Sequence, residues 1–154
     1  MDLITIERIK TAHPKLRDEL HNDYIECNNL LPKGVRLRFA YVYRSVEEQN
    51  ILFAKRPKVT NAKGGQSIHN YGLAFDIVIL KDKDNNGTFE TASFEMDEHW
   101  KMVVSYFKSK GWTWGGDWKS FKDAPHFEKT YGHTWQTLSK KEIIINNGLR
   151  YPII

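Results

Sequence analysis

The sequence predicts a single α+β domain, in which a small, mostly antiparallel sheet is flanked by helices. Three observations support this class: a length of 154 residues, a mixture of helical and alternating strand patterns, and the absence of internal repeats or linkers. This length is typical of one domain with a sizeable core, so we expect residues 1–154 to form a single unit. The strand patterns are short and interrupted, which favours antiparallel pairing.

The composition excludes several classes of protein. Hydrophobic residues make up 40% and charged residues 27% of the chain, as in soluble globular domains. No apolar run approaches the roughly 18 residues that a membrane span needs. The single cysteine, Cys27, excludes an internal disulfide framework. The net charge is +4, but Lys and Arg are scattered along the sequence without a nucleic-acid-binding motif, so we expect no nucleic-acid partner.

Apolar residues at three- and four-residue steps predict a first helix that begins at Pro14 and ends at Pro32-Lys33-Gly34. The apolar stripe of this helix consists of Leu16, Leu20, Tyr24, Cys27 and Leu31. Cys27 is therefore interpreted as a core residue rather than as a reactive thiol.

Two strands and a second helix are predicted next. Residues 35–43 alternate and are rich in β-branched and aromatic side chains, which predicts a strand. Ser45 and Glu48 have the spacing of a capping box, so the second helix begins at Ser45 and Glu48 reaches back to it. After a loop over residues 57–67, residues 73–80 are apolar on both faces, which predicts a central, buried strand.

Helical patterns return in the second half of the chain. Residues 96–109 carry an apolar face, and Gly111 ends the helix. A second Ser-x-x-Glu box at Ser139–Glu142 precedes Ile143–Ile145 and a stop at Gly148, which predicts a last helix.

A carboxylate and two histidines form a candidate metal site. Asp76 lies inside the buried strand, where a carboxylate needs an ion partner or a metal. His69 precedes it by seven residues, Gly72 permits a turn between the two, and His126 follows downstream. Two imidazoles and one carboxylate suit zinc and leave a fourth position for water, as in catalytic sites. The spacing alone also fits ordinary core histidines with a paired aspartate.

Two further carboxylates lie near His126 in sequence. Asp123 precedes His126 by three residues across Pro125, so it is a candidate general base for a metal-activated water. It also fits a loop aspartate that caps a turn. If this segment is a strand, Glu128 lies on the same face as His126. It is then either an outer hydrogen-bond partner of that histidine or an alternative general base. Arg44, at a junction of strand and helix, is either a surface charge or a fixed cationic donor.

Four motifs in order resemble the M15 family of zinc peptidases, in particular its L-alanyl-D-glutamate endopeptidases, which include phage endolysins. The motifs are Tyr43-Arg44-Ser45 with Gln49, the loop 59–65, Ser-x-His-x-x-Gly-x-Ala-x-Asp at 67–76, and Trp-Gly-Gly-Asp-Trp at 114–118 followed by Asp-x-Pro-His-Phe-Glu at 123–128. The resemblance covers residues 42–135, and the ordered set is more specific than any one motif.

The resemblance implies the Hedgehog/DD-peptidase fold and zinc bound by His69, Asp76 and His126. It also implies that Asp123 is the catalytic base and that Arg44 steadies the developing oxyanion. Ser67, Gln49, Trp114 and Trp118 lie in the matching motifs and are the expected substrate-binding residues. Trp112, Trp114, Trp118 and Trp135 fall around residues 123–126, and we expect them to form the wall of a cleft.

The resemblance also implies a hydrolase that cleaves peptidoglycan stem peptides, with the bond between L-Ala and D-Glu as the expected target. Two alternatives remain: a D-Ala-D-Ala carboxypeptidase or dipeptidase with the same zinc ligands, and a non-catalytic zinc module of the same fold. We expect a monomer without a separate cell-wall-binding domain. No signal peptide is visible in residues 1–10, so action on the bacterial wall requires release of the phage-lysin type or a sequence trimmed of its leader.

An acidic loop provides a second candidate metal site. Asp82, Asp84 and Asn86 alternate and Gly87 follows, like the start of a calcium loop, although position twelve is Ser93 rather than Glu. The other interpretation is a solvated Asn-Gly hairpin. Residues 82–98 contain six acids and one lysine, a net −5, so the rest of the chain carries +9.

Overall fold

The computed structural model describes residues 1–154 and contains five α-helices, seven strands and two 3₁₀ turns. The helices are α1 (Leu3–Ile9), α2 (Arg17–Leu30), α3 (Val46–Ala54), α4 (Glu98–Ser109) and α5 (Trp135–Leu138). The strands are β1 (Val35–Tyr41), β2 (Ala74–Lys81), β3 (Thr91–Ser93), β4 (Thr113–Trp114), β5 (His126–Glu128), β6 (Ile143–Asn146) and β7 (Leu149–Pro152). The 3₁₀ turns are Ile68–Tyr71 and Gly115–Asp117. None of the helices has the length and apolar character needed to cross a membrane.

Strand β2 is the centre of a five-stranded antiparallel sheet. β1 pairs with it from Lys81 to Asp76, while on the other side β5 pairs with its first half and β3 with its last residues. β4 extends the sheet beyond β5. The prediction of a central, buried strand is confirmed, since six of the eight β2 residues are buried. In the β2–β5 register, Asp76 lies directly opposite His126.

Aromatic side chains form the core of the sheet close to Asp76 and His126. The rings of Phe39, Phe75 and Phe127, one from each of three neighbouring strands, are stacked with centroids 4.2 and 5.2 Å apart. Phe107 of α4 and Trp112 meet the Phe75 ring edge-on. These rings are at most 3% exposed. The core therefore supports the strands that carry the candidate metal ligands.

The N-terminal region contains a helix that the sequence patterns did not predict. Asp2 caps α1, because its carboxylate accepts hydrogen bonds from the backbone N–H and the hydroxyl of Thr5. The same carboxylate forms two 2.9 Å bonds with Arg38 of β1. The placement of Pro14 at a first helical position is wrong: residues 14–16 form a turn, and α2 begins at Arg17. The predicted apolar stripe of α2, including Cys27, is buried.

The second predicted helix, α3, follows Ser45, whose hydroxyl accepts a 3.0 Å bond from the N–H of Glu48. The reciprocal bond from the Glu48 side chain is not formed, so only half of the predicted capping box exists. The third predicted helix is also present as α4, with Asp97 as its N-cap and Gly111 just beyond its C-cap.

The predicted last helix is wrong. Ser139 ends the short helix α5 instead of starting one, and residues 143–152 form the antiparallel hairpin β6–β7. Asn147 and Gly148 both have positive φ, as a two-residue hairpin turn requires. The three consecutive isoleucines favour a strand because their β-branched side chains are restricted in a helix.

Candidate metal centre

Three separate elements bring the predicted ligands together. His69 lies in the first 3₁₀ turn, Asp76 in β2 and His126 in β5. Asp76 Oδ1 is 3.2 Å from Nε2 of His69 and 3.1 Å from Nδ1 of His126. One donor atom from each residue lies within 4.8 Å of the others. The two histidines are buried, and Asp76 is partly buried at the base of a cleft.

Each histidine has a second partner that fixes its orientation. Nδ1 of His69 is 2.7 Å from the carbonyl oxygen of Val42. Nε2 of His126 is 2.8 Å from a carboxylate oxygen of Glu128. Because a carbonyl and a carboxylate both accept hydrogen bonds, these contacts place a proton on Nδ1 of His69 and on Nε2 of His126. The two histidines therefore present different ring nitrogens to Asp76.

This donor set fits zinc. Bonds of about 2.0–2.1 Å in a tetrahedron require donor atoms about 3.3 Å apart, close to the separations from Asp76. With neutral rings, two nitrogen lone pairs face a carboxylate oxygen, an arrangement that needs a cation between them. Burial alone would lower the pKa of His126, but its hydrogen bonds with Asp76 and Glu128 raise this pKa to about 9. The same contacts that would favour a bound cation therefore also favour the protonated form of His126.

Local structure around His69 is held by residues of its own motif. Ser67 caps the 3₁₀ turn, and its hydroxyl accepts a bond from the N–H of His69. Gly72 ends the turn with φ +70, and a Cβ there would lie 2.7 Å from the backbone nitrogen of His13 and 2.9 Å from the Tyr151 ring. The sharp return from His69 to β2 therefore needs glycine at this position.

Asn70 joins three segments beside the site. Its side-chain amide donates to the carbonyl oxygens of Arg44 and Ser45, and its carbonyl oxygen accepts from the N–H groups of Gly65 and Ser67. Sequence reasoning missed Asn70 and the carbonyl of Val42 as supports of the site. The signal for Asn70 was a polar residue directly after a candidate ligand, whereas a backbone carbonyl has no side-chain signature.

Asp123 lies at the edge of the site and is not one of the three clustered ligands. Its carboxylate is 4.0 Å from Nδ1 of His126 and about half exposed. Its loop is tied to the second 3₁₀ turn, since the N–H of Asp123 donates to the carbonyl of Gly115 at 3.0 Å. Burial and the nearby Asp76 carboxylate raise the pKa of Asp123. A carboxylate beside the cluster, free to exchange a proton, suits a general base.

Arg44 lies in the same cleft, and Gln49 positions it. The guanidinium donates to the side-chain oxygen of Gln49 at 3.0 Å, and Gln49 donates in turn to the carbonyl of Ala62. Gln49 is fully buried, so it holds Arg44 and the backbone at Ala62 from behind the cleft. The guanidinium also lies over the exposed ring of Tyr41.

The cleft has a volume of about 480 Å³ and contains the predicted catalytic, zinc-binding and substrate-binding residues with two exceptions. Its lining residues are Tyr41, Arg44, Leu52, Val59, Thr60, Ala62, Gln66, Ser67, Ile68, His69, Asp76, Trp118, Asp123, His126 and Glu128. Gln49 is outside this set, as is Trp114, which donates its indole N–H to the carbonyl of Ala124.

The expected tryptophan wall of the cleft is wrong for three of the four residues. Trp118 alone lines the cleft, where its ring lies 5.3 Å from that of His126. Trp112 belongs to the buried core, and Trp114 and Trp135 pack against that core. The high aromatic content therefore serves mainly the packing beneath the sheet.

The acidic loop forms a separate cluster of carboxylates, at the opposite end of β2 from Asp76. Oxygen atoms of Asp82, Asp84 and Glu90 lie within 4.8 Å of one another. Asp82 also accepts hydrogen bonds from the N–H groups of Asn86 and Gly87, and the Asn86 amide donates to Asp84. The loop joins the antiparallel strands β2 and β3, so a hairpin is present. Calcium binding there remains a prediction from sequence.

Comparison with known protein families gives a match to part of this chain. A peptidase M15 family model, described as D-alanyl-D-alanine carboxypeptidase, matches residues 60–129. This segment contains His69, Asp76, Asp123 and His126. Over this segment the chain is therefore similar to the peptidase M15 family.

Individual relatives define the similarity further. The peptidoglycan L-alanyl-D-glutamate endopeptidase CwlK of Bacillus subtilis is 40% identical over 105 residues, 62% of this chain and 62% of CwlK. The L-alanyl-D-glutamate peptidase of Listeria phage A118 is 34% identical over 92 residues, 56% of this chain and 31% of the phage protein. The match thus spans less than two thirds of each relative.

A solved structure supports the predicted fold. The crystal structure of the L-Ala D-Glu endopeptidase ChiX of Serratia marcescens is similar with a TM-score of 0.57. The match covers 83% of this chain and 87% of ChiX at 22% sequence identity. The predicted α+β class, with a small antiparallel sheet flanked by helices in a single small domain, is confirmed.

Proposed function

We propose that this protein is a zinc-dependent peptidase that hydrolyses peptidoglycan stem peptides between L-Ala and D-Glu. The observation that carries the proposal is the convergence of His69, Asp76 and His126 in a cleft whose edge holds Asp123 and Arg44. A purely structural metal site has no need of an additional carboxylate and guanidinium in an open cleft. The site therefore favours catalysis over the non-catalytic zinc module.

The metal ligands are His69 through Nε2, Asp76 through its carboxylate and His126 through Nδ1. A zinc ion bound there would lower the pKa of the attacking water and polarise the scissile carbonyl. Asp123 accepts the proton of that water on its carboxylate and then transfers it to the nitrogen of the leaving amine. Its position 4.0 Å from Nδ1 of His126 keeps it close to the reacting atoms without occupying a ligand position.

Arg44 supplies the positive donor for the substrate carbonyl. As the peptide carbon becomes tetrahedral, its oxygen gains negative charge, and a pre-positioned guanidinium stabilises that charge. Gln49 and the Tyr41 ring hold the guanidinium in one orientation. Ser67 and Trp118 line the cleft and are the proposed substrate contacts, while Gln49 acts through Arg44.

The substrate assignment draws support from the named relatives, because CwlK and the phage protein are both described as L-alanyl-D-glutamate peptidases. The assignment extends to this chain the substrate described for relatives that the chain matches over only part of their length. On this assignment the protein acts at the bacterial cell wall.

Digestion of purified peptidoglycan tests the proposal. The zinc-loaded protein is incubated with sacculi, and new amino and carboxyl termini are identified by mass spectrometry after derivatisation. New D-Glu amino termini together with new L-Ala carboxyl termini are expected. The Asp123→Asn variant serves as the control for contaminating hydrolases. No new termini with zinc-loaded protein would overturn the proposal.

A second candidate is a D-Ala-D-Ala carboxypeptidase, favoured by the description of the family model that matches residues 60–129. The same zinc ligands and base could serve either reaction. The digestion separates the two, because release of free D-Ala without new D-Glu amino termini would assign the carboxypeptidase activity. Synthetic pentapeptide stems, which carry both bonds, give the ratio of the two cleavages directly.

A further inference from the structure

We propose that two cationic loops beside the cleft bind an anionic polymer of the cell wall and hold it across the site. The first loop, called the 55–63 loop, carries Lys55, Arg56, Lys58 and Lys63; the second, the 118–122 loop, carries Lys119 and Lys122. The inference rests on the proposed function for the identity of the wall as partner. It adds a binding surface outside the metal ligands and the catalytic groups.

The first observation is the absence of acidic residues within the two loops themselves. No Asp or Glu occurs from Gln49 to Phe75, so this 27-residue stretch carries four positive charges and no negative ones. The 118–122 loop likewise contains two lysines and no acid. All six cationic residues are exposed.

The second observation is that none of the six forms a salt bridge. Some lysines elsewhere on the molecule are neutralised: Lys81 pairs with Asp97, Lys108 with Asp117 and Lys129 with Glu19. Each of these pairs has an N···O distance of 2.6 Å. The positive charge of the two loops is therefore available to a partner.

The third observation is the position of the loops. Val59, Thr60 and Ala62 of the first loop line the cleft, and Trp118 and Asp123 line it beside the second. The cations thus lie next to lining residues from two different segments of the chain. Arg44, which lines the same cleft, adds a further positive charge.

A cluster of negative charge lies at the far end of β2 from the cleft. The acidic loop follows Lys81, five residues along β2 from Asp76, which is about 17 Å at the rise of a strand. A molecule with its positive end at the cleft is oriented by a polyanion before contact. The partner that fits this surface is an extended polymer with repeated phosphate or carboxylate groups. The six cations on the two loops carry more positive charge than a single stem-peptide residue could neutralise.

Co-sedimentation with purified walls tests the inference without turnover. The Asp123→Asn variant is used as background, so that binding is measured on intact walls and a failure of the proposed peptidase activity does not affect the result. The cleft variant adds Lys55→Gln, Lys58→Gln, Lys119→Gln and Lys122→Gln. The control adds Lys33→Gln, Lys101→Gln, Lys140→Gln and Lys141→Gln, four exposed lysines without salt bridges that lose the same charge.

We expect the cleft variant to bind walls about tenfold more weakly than the background protein, and the control to bind within about twofold. Wall binding of the background protein should also weaken between about 50 and about 500 mM NaCl, because salt screens exposed charges. Walls stripped of phosphate polymers distinguish the source: lost binding assigns the phosphate polymer, and retained binding assigns wall carboxylates. Equal binding by the cleft variant and the control would overturn the inference. Circular dichroism and zinc content verify that both variants are folded.

Discussion

At the scale of single residues, the two histidines of the metal centre are fixed by different kinds of acceptor. The ring of His69 is hydrogen-bonded to the backbone carbonyl of Val42, whereas the ring of His126 is hydrogen-bonded to the side chain of Glu128. A side-chain acceptor can be removed by substitution, so Glu128 is the accessible test of how His126 is held. Outer carboxylate partners of this kind raise the basicity of a ligating imidazole and fix its tautomer.

We predict that Glu128→Ala weakens zinc affinity by about 10- to 100-fold, because Nε2 of His126 loses its acceptor. Glu128→Gln keeps a carbonyl acceptor and should have a smaller effect. Competition with a chromophoric chelator on the apo protein measures both affinities. The exposed Glu142→Ala is the control for loss of one acid. Equal zinc affinity in Glu128→Ala and the wild type would remove Glu128 as a positioning residue.

Asp123 gives the second prediction at this scale. Since it lies outside the three clustered ligands, Asp123→Asn should retain full zinc content while kcat falls by about 10²- to 10⁴-fold. Metal analysis and turnover on a defined stem peptide test the two parts. Asp117→Asn, a half-exposed aspartate paired with Lys108, is the matched control. Activity that survives in Asp123→Asn would exclude this residue as the base.

The sequence predicted the residues that carry unusual chemistry and, apart from Glu128, missed most of those that support them. Asp76 was identifiable because a carboxylate inside an apolar strand needs a partner. The supports include backbone groups, such as the Val42 carbonyl, and close approaches, such as Gly115 against Asp123. Such contacts depend on which segments become neighbours in the fold, and no local pattern records that.

At the scale of elements, the turn Gly115–Asp117 sets the position of the Asp123 loop. A Cβ on Gly115 would collide with the carbonyl oxygen of Asp123 and lie 3.2 Å from Cβ of His126. The Gly115 carbonyl also accepts the N–H of Asp123. The close approach of these two segments therefore requires glycine.

We predict that Gly115→Ala lowers kcat on a stem peptide by at least about tenfold, since displacements near 1 Å can cost up to 10²-fold. Gly132→Ala is the control: that glycine, unlike Gly115, has positive φ, and its Cβ would meet open space. In the Gly132→Ala variant, backbone strain should lower the free energy of unfolding by about 1 kcal/mol, and kcat should stay unchanged. Assays well below both melting temperatures separate the effects; equal activity losses would contradict the prediction.

The contact between α1 and β1 depends on Asp2. Its carboxylate is almost fully buried, caps α1 and pairs with Arg38. We predict that Asp2→Ala lowers the free energy of unfolding by about 2 kcal/mol, through the lost cap and the unpaired arginine. Glu7→Ala, which breaks the exposed pair with Lys10, should change it by less than about 0.5 kcal/mol. Urea titrations measure both, and equal changes would contradict the prediction.

The same carboxylate predicts a direction for the pH dependence. Burial alone would raise the pKa of Asp2, but hydrogen bonds from Arg38 and Thr5 lower it. Its contribution is therefore complete above the unfolded pKa near 4 and is lost as the pH falls through the lower folded value. The stability difference between the wild type and Asp2→Ala should shrink below about pH 4.

Element prediction succeeded where local signals agreed and failed at both termini. β1, β2 and α4 combine a clear period with proper end signals, so their types were predicted correctly. Helix α1 was missed because its cap and its packing on β1 come from Asp2 and Arg38, 36 residues apart. The Ser139–Glu142 box was outweighed by the β-branched run after it.

At the scale of the whole molecule, metal binding should stabilise the fold. The three ligands come from three elements, and the site exists only when β2 and β5 are paired. At free zinc about 100-fold above its dissociation constant, we expect about 2.7 kcal/mol of added stability. For a chain of this size that raises the melting temperature by about 5–10 °C. Differential scanning calorimetry with zinc and with chelator measures the shift, and the His69→Ala variant should show almost none.

The β2–β5 pairing has a consequence for how the protein folds. Asp76 and His126 are 50 residues apart in the chain, and only three residue pairs join their strands. Closing so long a segment costs entropy before the short pairing contributes to stability, and such non-local contacts form slowly. We therefore expect the ion to be captured late in refolding, after the helices have formed. The rate of zinc uptake by a refolding chain would then report completion of the native topology.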